Sequence, residues 1–432
     1  MTVSRFSFSL FALGAALLVP RPDAAAADSF VSPPSGTKLT FAAAFAEAMA
    51  QSPALRVIEA DVESARGDVL TAQQKPASEL TFSPGLRRLR DGDTANHEFL
   101  GSIELSRTFV FPGKRELLVS IAERNVALRQ LATEGLRFQL TAAVRRAFAE
   151  LLTAQGLVGL RQQQLESAQT FQQAAAKRAE SGYASDFEAV KSQGDVINAH
   201  KLLGAAEGGI AAARVELNLL LGREPNAPLE VAGAIDEPVT DRPLPELLSL
   251  ALLQNPSLRV QELQAEIAGL NVRKARLARK PDFTAGPALE LSKSEQILSF
   301  NASLPLLSKD YGRGELLTAN AEQRKVLAET ERLRREISGA VAKAATELTT
   351  ARAQLALYSP VYLDQLKAVV AQAEQSYAQN ATSLLIYLDA KRTYFDTLAD
   401  YYQATADVAR ARAELESAIG APLATPAATS TP

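Results

Sequence analysis

Apolar residues along most of this chain return every three to four positions, the spacing of a helix face. Phe41, Phe45, Ala48 and Met49 share such a face, with Thr40 placed to cap it. Pro53 interrupts the run, which resumes through Leu55, Ile58, Val62, Ala65 and Val69 and stops near Pro76. The period then falls to two. In Glu98 to Leu105, Phe99, Gly101, Ile103 and Leu105 alternate with Glu98, Ser102 and Glu104, and Leu100 breaks the pattern. Glu79 to Leu89 alternates more weakly through Leu80, Phe82 and Leu86. Two strands joined by a polar turn at Asp91-Gly92-Asp93 make a β-hairpin. Lys114 to about Ser181 contains no proline and returns to the helical period; unbroken, it would span on the order of 100 Å. Gly182-Tyr183-Ala184-Ser185 breaks it, and a second helix runs back to Gly222.

The same succession then repeats. Gln51-Ser52-Pro53-Ala54-Leu55-Arg56-Val57 returns as Gln254-Asn255-Pro256-Ser257-Leu258-Arg259-Val260. Lys75-Pro76 returns as Lys280-Pro281, and Gly113-Lys114-Arg115-Glu116-Leu117-Leu118 as Gly312-Arg313-Gly314-Glu315-Leu316-Leu317. Ala213-Arg214-Val215-Glu216-Leu217 returns as Ala411-Arg412-Ala413-Glu414-Leu415, each followed by a glycine, Gly222 and Gly420. The offset stays near two hundred residues, far too long for a solenoid repeat. The second copy holds a helical stretch from about Pro245 to Pro281 and strands at Asp282 to Leu291 and Leu298 to Leu304, with a turn around Ser292-Lys293-Ser294. Its long helix runs from about Gly314 to Gln379, with Pro360 expected to kink or end a helix on the way. The chain turns near Asn380-Ala381-Thr382 and returns to Gly420.

These patterns divide the chain into a secretory signal over 1–27, a first repeat over 28–222, a linker over 223–243, a second repeat over 244–421 and a disordered tail over 422–432. The hairpins fall at about 79–109 and 282–304, and the long helical hairpins at about 114–222 and 313–420. The signal reading rests on Arg5, the apolar run Phe6 to Val19 and the small residues Ala25-Ala26-Ala27. The region around the linker, Glu224 to Pro245, carries five prolines.

Composition narrows the chemistry. A net charge of −3 leaves no basic field for nucleic acid. The absence of cysteine excludes disulfides, thiolate metal sites, cysteine nucleophiles and a lipid-modified N-terminal cysteine. With two histidines, His97 and His200, a histidine-rich metal site is excluded too; both read as solvated surface residues. Gly113-Lys114 has Thr108 where a phosphate loop needs its upstream glycine, and no catalytic constellation or cofactor site stands out. Arg87, Arg88 and Arg90 end the first strand; they read as charge placed where a strand end tolerates it, with a barrel mouth or anionic lipid headgroups as the specific alternatives. Tyr394, Tyr401 and Tyr402 read as helix packing. Alanine stripes (Ala142, Ala143, Ala147 and Ala154; Ala404, Ala406, Ala409, Ala411 and Ala413) permit close helix approach.

Strands of about ten residues with one apolar face have the length of tilted transmembrane strands. Four of them cannot close a barrel, and open edges are not tolerated in lipid. Three chains would give about twelve strands, inside the known range. The polar face, rich in serine, threonine, asparagine and small residues, points to a water-filled channel.

The chain resembles the TolC-like outer-membrane factor family over essentially all of the mature sequence. The resemblance is carried by the duplicated Gln-Ser-Pro-Ala-Leu and Gln-Asn-Pro-Ser-Leu openings, by Asn380 to Ala390 with its Leu-Asp-Ala, and by Leu219-Leu220-Leu221-Gly222. Phe111-Pro112-Gly113-Lys114-Arg115, Ala179-Glu180-Ser181-Gly182 and Leu304-Pro305-Leu306 are most similar to the heavy-metal, cobalt–zinc–cadmium type, efflux branch. The resemblance implies a mainly α protomer with a β-hairpin per repeat and a homotrimer with a 12-stranded β-barrel in the outer membrane above an α-helical barrel in the periplasm. It implies a passive exit duct, not an enzyme, that docks a periplasmic adaptor (membrane fusion) protein and a proton-driven inner-membrane pump. Heavy-metal cations are the expected cargo, with drug efflux and type I protein secretion as the other duct readings. A non-conducting coiled-coil envelope protein is the reading outside the duct class.

The same resemblance places the adaptor-docking tips at Ser181, Gly182, Tyr183, Ala184 and Ser185 and at Asn380, Ala381, Thr382 and Ser383. Relatives carry a gate carboxylate in a Leu-Asp-Ala sequence, matched here by Leu388-Asp389-Ala390. A second acidic position of some relatives falls on Ile386, and Glu188 of the first repeat is expected opposite it as a substitute charge. The alternative for Asp389 is an i,i+3 pair with Arg392 on its own helix.

Overall fold

The computed structural model describes residues 38–91, 94–180, 186–233, 242–292, 295–379 and 381–423. The expected signal, the hairpin turns at residues 92, 93, 293 and 294 and the first helical tip at 181–185 lie outside them, as do Asn380 and residues 424–432 of the expected tail. The first residues of that tail, expected over 422–432 as disordered, are instead ordered: Leu423 is buried in the core of the second repeat and its N–H donates to Glu416 Oε1.

The first repeat comprises α1 (Phe41–Gln51), α2 (Pro53–Gln73), β1 (Ser78–Asp91), β2 (Thr94–Phe109), α3 (Lys114–Glu180) and α4 (Asp186–Leu221). The second comprises α5 (Leu244–Gln254), α6 (Pro256–Ala278), β3 (Phe283–Ser292), β4 (Gln296–Ser303), α7 (Arg313–Ala356), α8 (Pro360–Ala378) and α9 (Leu384–Ile419). Residues from Lys38 onward form one compact unit, so the repeats pack on each other and not as separate domains.

The duplicated motif is a corner between two helices. Pro53 and Pro256 each open a helix, where the missing N–H costs nothing and the fixed φ suits the first turn. Asn255 caps α6 by accepting from Ser257 N–H at 3.0 Å and Leu258 N–H at 3.3 Å. Its Nδ2 donates to Ala418 O of α9 at 2.9 Å. The glycines that end each return helix explain why the corner recurs. Gly222 and Gly420 take positive φ, 72° and 78°, the usual conformation just past a helix C-terminus. A Cβ on Gly420 would lie 2.5 Å from Pro256 Cδ, and one on Gly222 3.3 Å from Gln51 Cβ. Corner and cap therefore seat against each other, once per repeat.

Each repeat has its own core on the same plan. In the first, Ala44 and Ala48 of α1 meet Val144, Phe148 and Leu151 of α3 and Leu217 of α4. In the second, Ala251 of α5 meets Val341 and Leu348 of α7 and Leu415 and Ile419 of α9. Thr40 does cap α1, accepting from Ala43 N–H at 3.4 Å. The buried stripe of α1 is centred on Ala44 and Ala48, while Phe45, expected on the core face, is exposed. Phe41 turns edge-on to Phe148, 5.8 Å between centroids, and small residues bring the helices together where a second phenyl ring would not fit.

Part of the expected linker, 223–243, contributes to the first core: it is described as far as residue 233 and is fastened there by a few side chains. Leu229 and Val231 are buried in the first core, and Leu39 bridges Val231 as a short parallel pair. Asn218 donates to Pro225 O at 3.1 Å and Ala227 O at 2.9 Å, and Arg223 grips Glu47 with two hydrogen bonds. Proline here stops helix and strand; Pro225 and Pro228 are themselves exposed, while Leu229 and Val231 just after them turn inward.

The long helices differ between repeats. α3 runs 67 residues without a break, or on the order of 100 Å. Its counterpart stops at Ala356. Ser359 then accepts from Tyr362 N–H at 3.3 Å and Pro360 opens α8, so the proline ends a helix rather than kinking it.

Candidate functional site

The sheet runs in the order β1-β2-β3-β4, antiparallel throughout. Paired residues of an antiparallel ladder project to the same side, so the register assigns two faces. Phe82↔Ile103↔Leu289↔Leu298 lie in one row, with Leu80, Leu105, Pro287 and Phe300 in the next. The opposite side carries Ser83↔Ser102↔Glu290 and Thr81↔Glu104↔Ala288↔Ser299. The sequence alternation is thus in phase across both hairpins. The apolar face has no cover among the described residues: Leu298 is 78% and Phe300 72% exposed, and Phe82, Leu86 and Phe99 are exposed as well. β1 and β4 are outer strands, without a neighbour among the described residues. No helix among those residues is long and apolar enough to cross a membrane.

The foot of the sheet ties the repeats together. Phe109 of β2 stacks on Phe283 of β3, 4.8 Å between centroids and 11° between planes. The hydroxyls of Thr108 and Thr284 share a hydrogen bond at 3.1 Å. Just below, Asp282 Oδ1 accepts from Phe111 N–H at 2.7 Å and from Lys114 Nζ at 2.9 Å. Partial burial pushes its carboxyl up, but these two donors prevail and hold it below the usual aspartate range. The first turn of α3 is thereby anchored to the start of β3.

At the other end of the stem, α3, α4, α8 and α9 meet in an aromatic cluster. Tyr377 and Tyr387 stack at 5.5 Å and 8°, and Phe171 tilts against both. Lys391 Nζ lies 5.2 Å from the Tyr387 ring centre and donates to Ser167 O at 3.1 Å. Burial pulls Lys391 below the usual lysine range, against the opposing field of Glu374 and Asp195. Burial also pushes the Tyr387 hydroxyl well above its usual range, with Glu374 adding to the shift. Tyr377 donates to Glu188 Oε2 at 3.0 Å, and Arg178 sits over the Tyr377 ring at 5.0 Å. A groove of about 900 Å³ opens beside the cluster, between α3 and the α8–α9 turn.

The expected gate residues fall around this cluster. Glu188 faces Tyr377 of α8. Asp389 makes the i,i+3 pair with Arg392 at 3.1 Å, and both side chains are largely exposed. Ile386 and Leu385 are exposed on the first turn of α9. Of the expected tips, Ala381, Thr382 and Ser383 are described: Ala381 N–H donates to Ser376 O at 2.8 Å, and Ser383 precedes α9. His200 is exposed on α4. The side chains of Arg87, Arg88, Arg90 and His97 lie outside the description. Among the described residues, no three His, Asp or Glu side chains gather to hold a metal ion. Sequence reasoning missed Tyr377, Tyr387 and Lys391. The available signal was aromatic residues on both sides of one turn, with a lysine four positions after the second.

The chain matches the outer membrane efflux protein family over residues 44–223 and 247–421, one stretch per repeat. It is 25% identical over 359 residues to the cobalt-zinc-cadmium resistance protein CzcC of Cupriavidus metallidurans, covering 83% of this chain and 84% of that protein. It is 24% identical over 375 residues to the probable outer membrane lipoprotein SilC of Salmonella typhimurium, covering 81% and 79%. The solved structure of CusC superposes with a TM-score of 0.75 at 19% identity, covering 88% of this chain and 92% of that one.

Proposed function

Because this chain belongs to the outer membrane efflux protein family, we propose that it is the exit duct of a tripartite efflux system, assembled as a homotrimer and exporting heavy-metal cations. The observation that carries the duct reading is the sheet. Its apolar face is uncovered and both its edges are open, and in lipid such edges must be paired. Three copies give about twelve strands, enough to close a barrel with the apolar face toward lipid and the serine- and threonine-rich face toward water. The protein does no chemistry. Energy comes from an inner-membrane pump, reached through a periplasmic adaptor that docks at the helical tips around Ser181 to Ser185 and Asn380 to Ser383.

Planar-bilayer recording tests the duct. Protein that is trimeric by mass in mild detergent should insert and conduct ions; a non-conducting trimer, or a monomer stable in membranes, overturns the reading. In the same recordings Asp389→Ala should weaken cation preference, since three copies of Asp389 would ring the tunnel end. The observed pair with Arg392 does not remove that charge, because an exposed ion pair is worth only about 0–1 kcal/mol and both partners remain accessible. Unchanged selectivity would reject Asp389 as a gate residue. We assign Tyr377 and Glu188 to the closed tip, where their hydrogen bond joins the hairpins of the two repeats.

The cargo assignment rests on relatedness to a cobalt-zinc-cadmium resistance protein and on the Phe-Pro-Gly-Lys-Arg and Leu-Pro-Leu segments. A strain lacking this duct should lose tolerance to metal cations. Unchanged metal tolerance with raised drug or dye sensitivity would move the cargo to drugs.

A further inference from the structure

Where the strands meet the helices, the two repeats differ. In the first, β2 continues to Phe109, and Val110 to Gly113 lead straight into α3, pinned by Asp282. In the second, β4 stops at Ser303, and the longer connection Leu304 to Gly312 precedes α7. This connection carries the Leu-Pro-Leu segment, and every residue from Leu304 to Tyr311 except Leu307 is exposed. Leu306 is 94% exposed, and Leu304 and Tyr311 are also open. Its backbone closes turns on itself, Tyr311 N–H donating to Ser308 O at 3.1 Å and Arg313 N–H to Asp310 O at 3.1 Å.

We infer that Leu304 to Tyr311 is an interfacial anchor that dips into the periplasmic phospholipid leaflet of the outer membrane. The inference rests on the barrel reading above. Three observations favour lipid as the occupant. The loop is continuous with the lipid-facing band, because Leu304 extends the phase of Leu298, Phe300 and Ala302 past the end of β4. It lies level with the other strand ends, since Ser303 pairs with Thr284, which pairs with Thr108. The Phe109–Phe283 stack stands at that level, where interfacial aromatic residues sit in membrane proteins. Finally, exposed cations stand at this level of the sheet: Lys309 within the loop, and Arg279 and Lys280 just before β3, the strand beside β4. Arg279 is next to the loop's end, its Cγ 2.9 Å from where a Cβ on Gly312 would stand. Apolar and aromatic side chains rimmed by lysine and arginine match an anionic headgroup layer with acyl chains behind it. A chain without cysteine cannot carry a lipid on that residue. Three copies of this loop, one per protomer, would hold the barrel at its depth instead.

The absence of native tryptophan makes the test direct. Leu306→Trp, Phe300→Trp and Leu357→Trp, the last exposed at the end of α7, are purified as full-length assemblies. Each is reconstituted into vesicles of phosphatidylethanolamine and phosphatidylglycerol with acyl chains brominated close to the headgroup. The anchor predicts that Leu306→Trp loses emission to a similar extent as Phe300→Trp, relative to unbrominated vesicles, while Leu357→Trp keeps its emission. Leu304→Trp gives a second position in the loop should Leu306→Trp fail to assemble. Quenching of Phe300→Trp without quenching in the loop overturns the anchor and places the loop under a neighbouring protomer. Absence of quenching at Phe300→Trp overturns the barrel reading itself.

Discussion

Glu416→Ala should destabilise the protein by about 3–5 kcal/mol, the cost of breaking a buried ion pair by removing one of its members. Glu416 is nearly fully buried on α9. Arg145 of α3 reaches it at 3.2 Å, and Arg412 one turn earlier on α9 at 3.2 Å. Leu423 N–H, beyond the cap glycine, donates to the same carboxylate at 3.2 Å. Removing the carboxylate takes away the buried counter-charge that Arg145 and Arg412 share and frees the segment after α9. Glu416→Gln keeps an acceptor and should cost less. A chemical or thermal melt of the detergent-solubilised protein reads the effect. A wild-type midpoint for Glu416→Ala would show that water reaches the site and that the network is not buried in the assembly.

Leu298→Arg comes next. On the exposed apolar face of β4, arginine near the bilayer midplane should cost roughly 2–4 kcal/mol, and the assembled trimer should fall correspondingly in outer-membrane fractions. Asn301→Arg, on the other face of the same strand, should assemble normally and alter only conductance. Equal tolerance of both would mean that the two faces are assigned the wrong way round or that the sheet does not meet lipid.

Periodicity made the fold legible because long, proline-free α3 and alternating β3 each follow one rule over many residues. Side chains that meet only after the repeats dock were not legible. Glu416 and Asn218 occupy matching positions near the ends of the two return helices, and each gathers the backbone that follows its cap glycine. Asn218 donates to carbonyls, whereas Glu416 accepts an N–H and two arginines. Nothing local in Ala411-Arg412-Ala413-Glu414-Leu415 marks the residue after it as buried. Phe45 misled for a related reason, since a period locates a face but not which of its flanks a neighbouring helix covers. The tip residues Asp389 and Glu188 came from the family's Leu-Asp-Ala pattern and from chain position. The Asp389 partner, Arg392, was legible from its i,i+3 spacing, whereas the Glu188 partner, Tyr377, lies 189 residues away and required coordinates.

The contrast between α3 and the α7–α8 pair has a mechanical consequence. A continuous hydrogen-bonded rod resists bending along its whole length, whereas two rods meeting at Leu357 to Pro360 form a jointed arm. Force applied at the tips is carried by the first hairpin as a stiff mast. The second hairpin has its joint between α7 and α8, and below it α8 and α9 are held to α3 and α4 through Tyr377, Tyr387 and Lys391. The duplicated chain has thus given its two copies an unbroken strut and a jointed one.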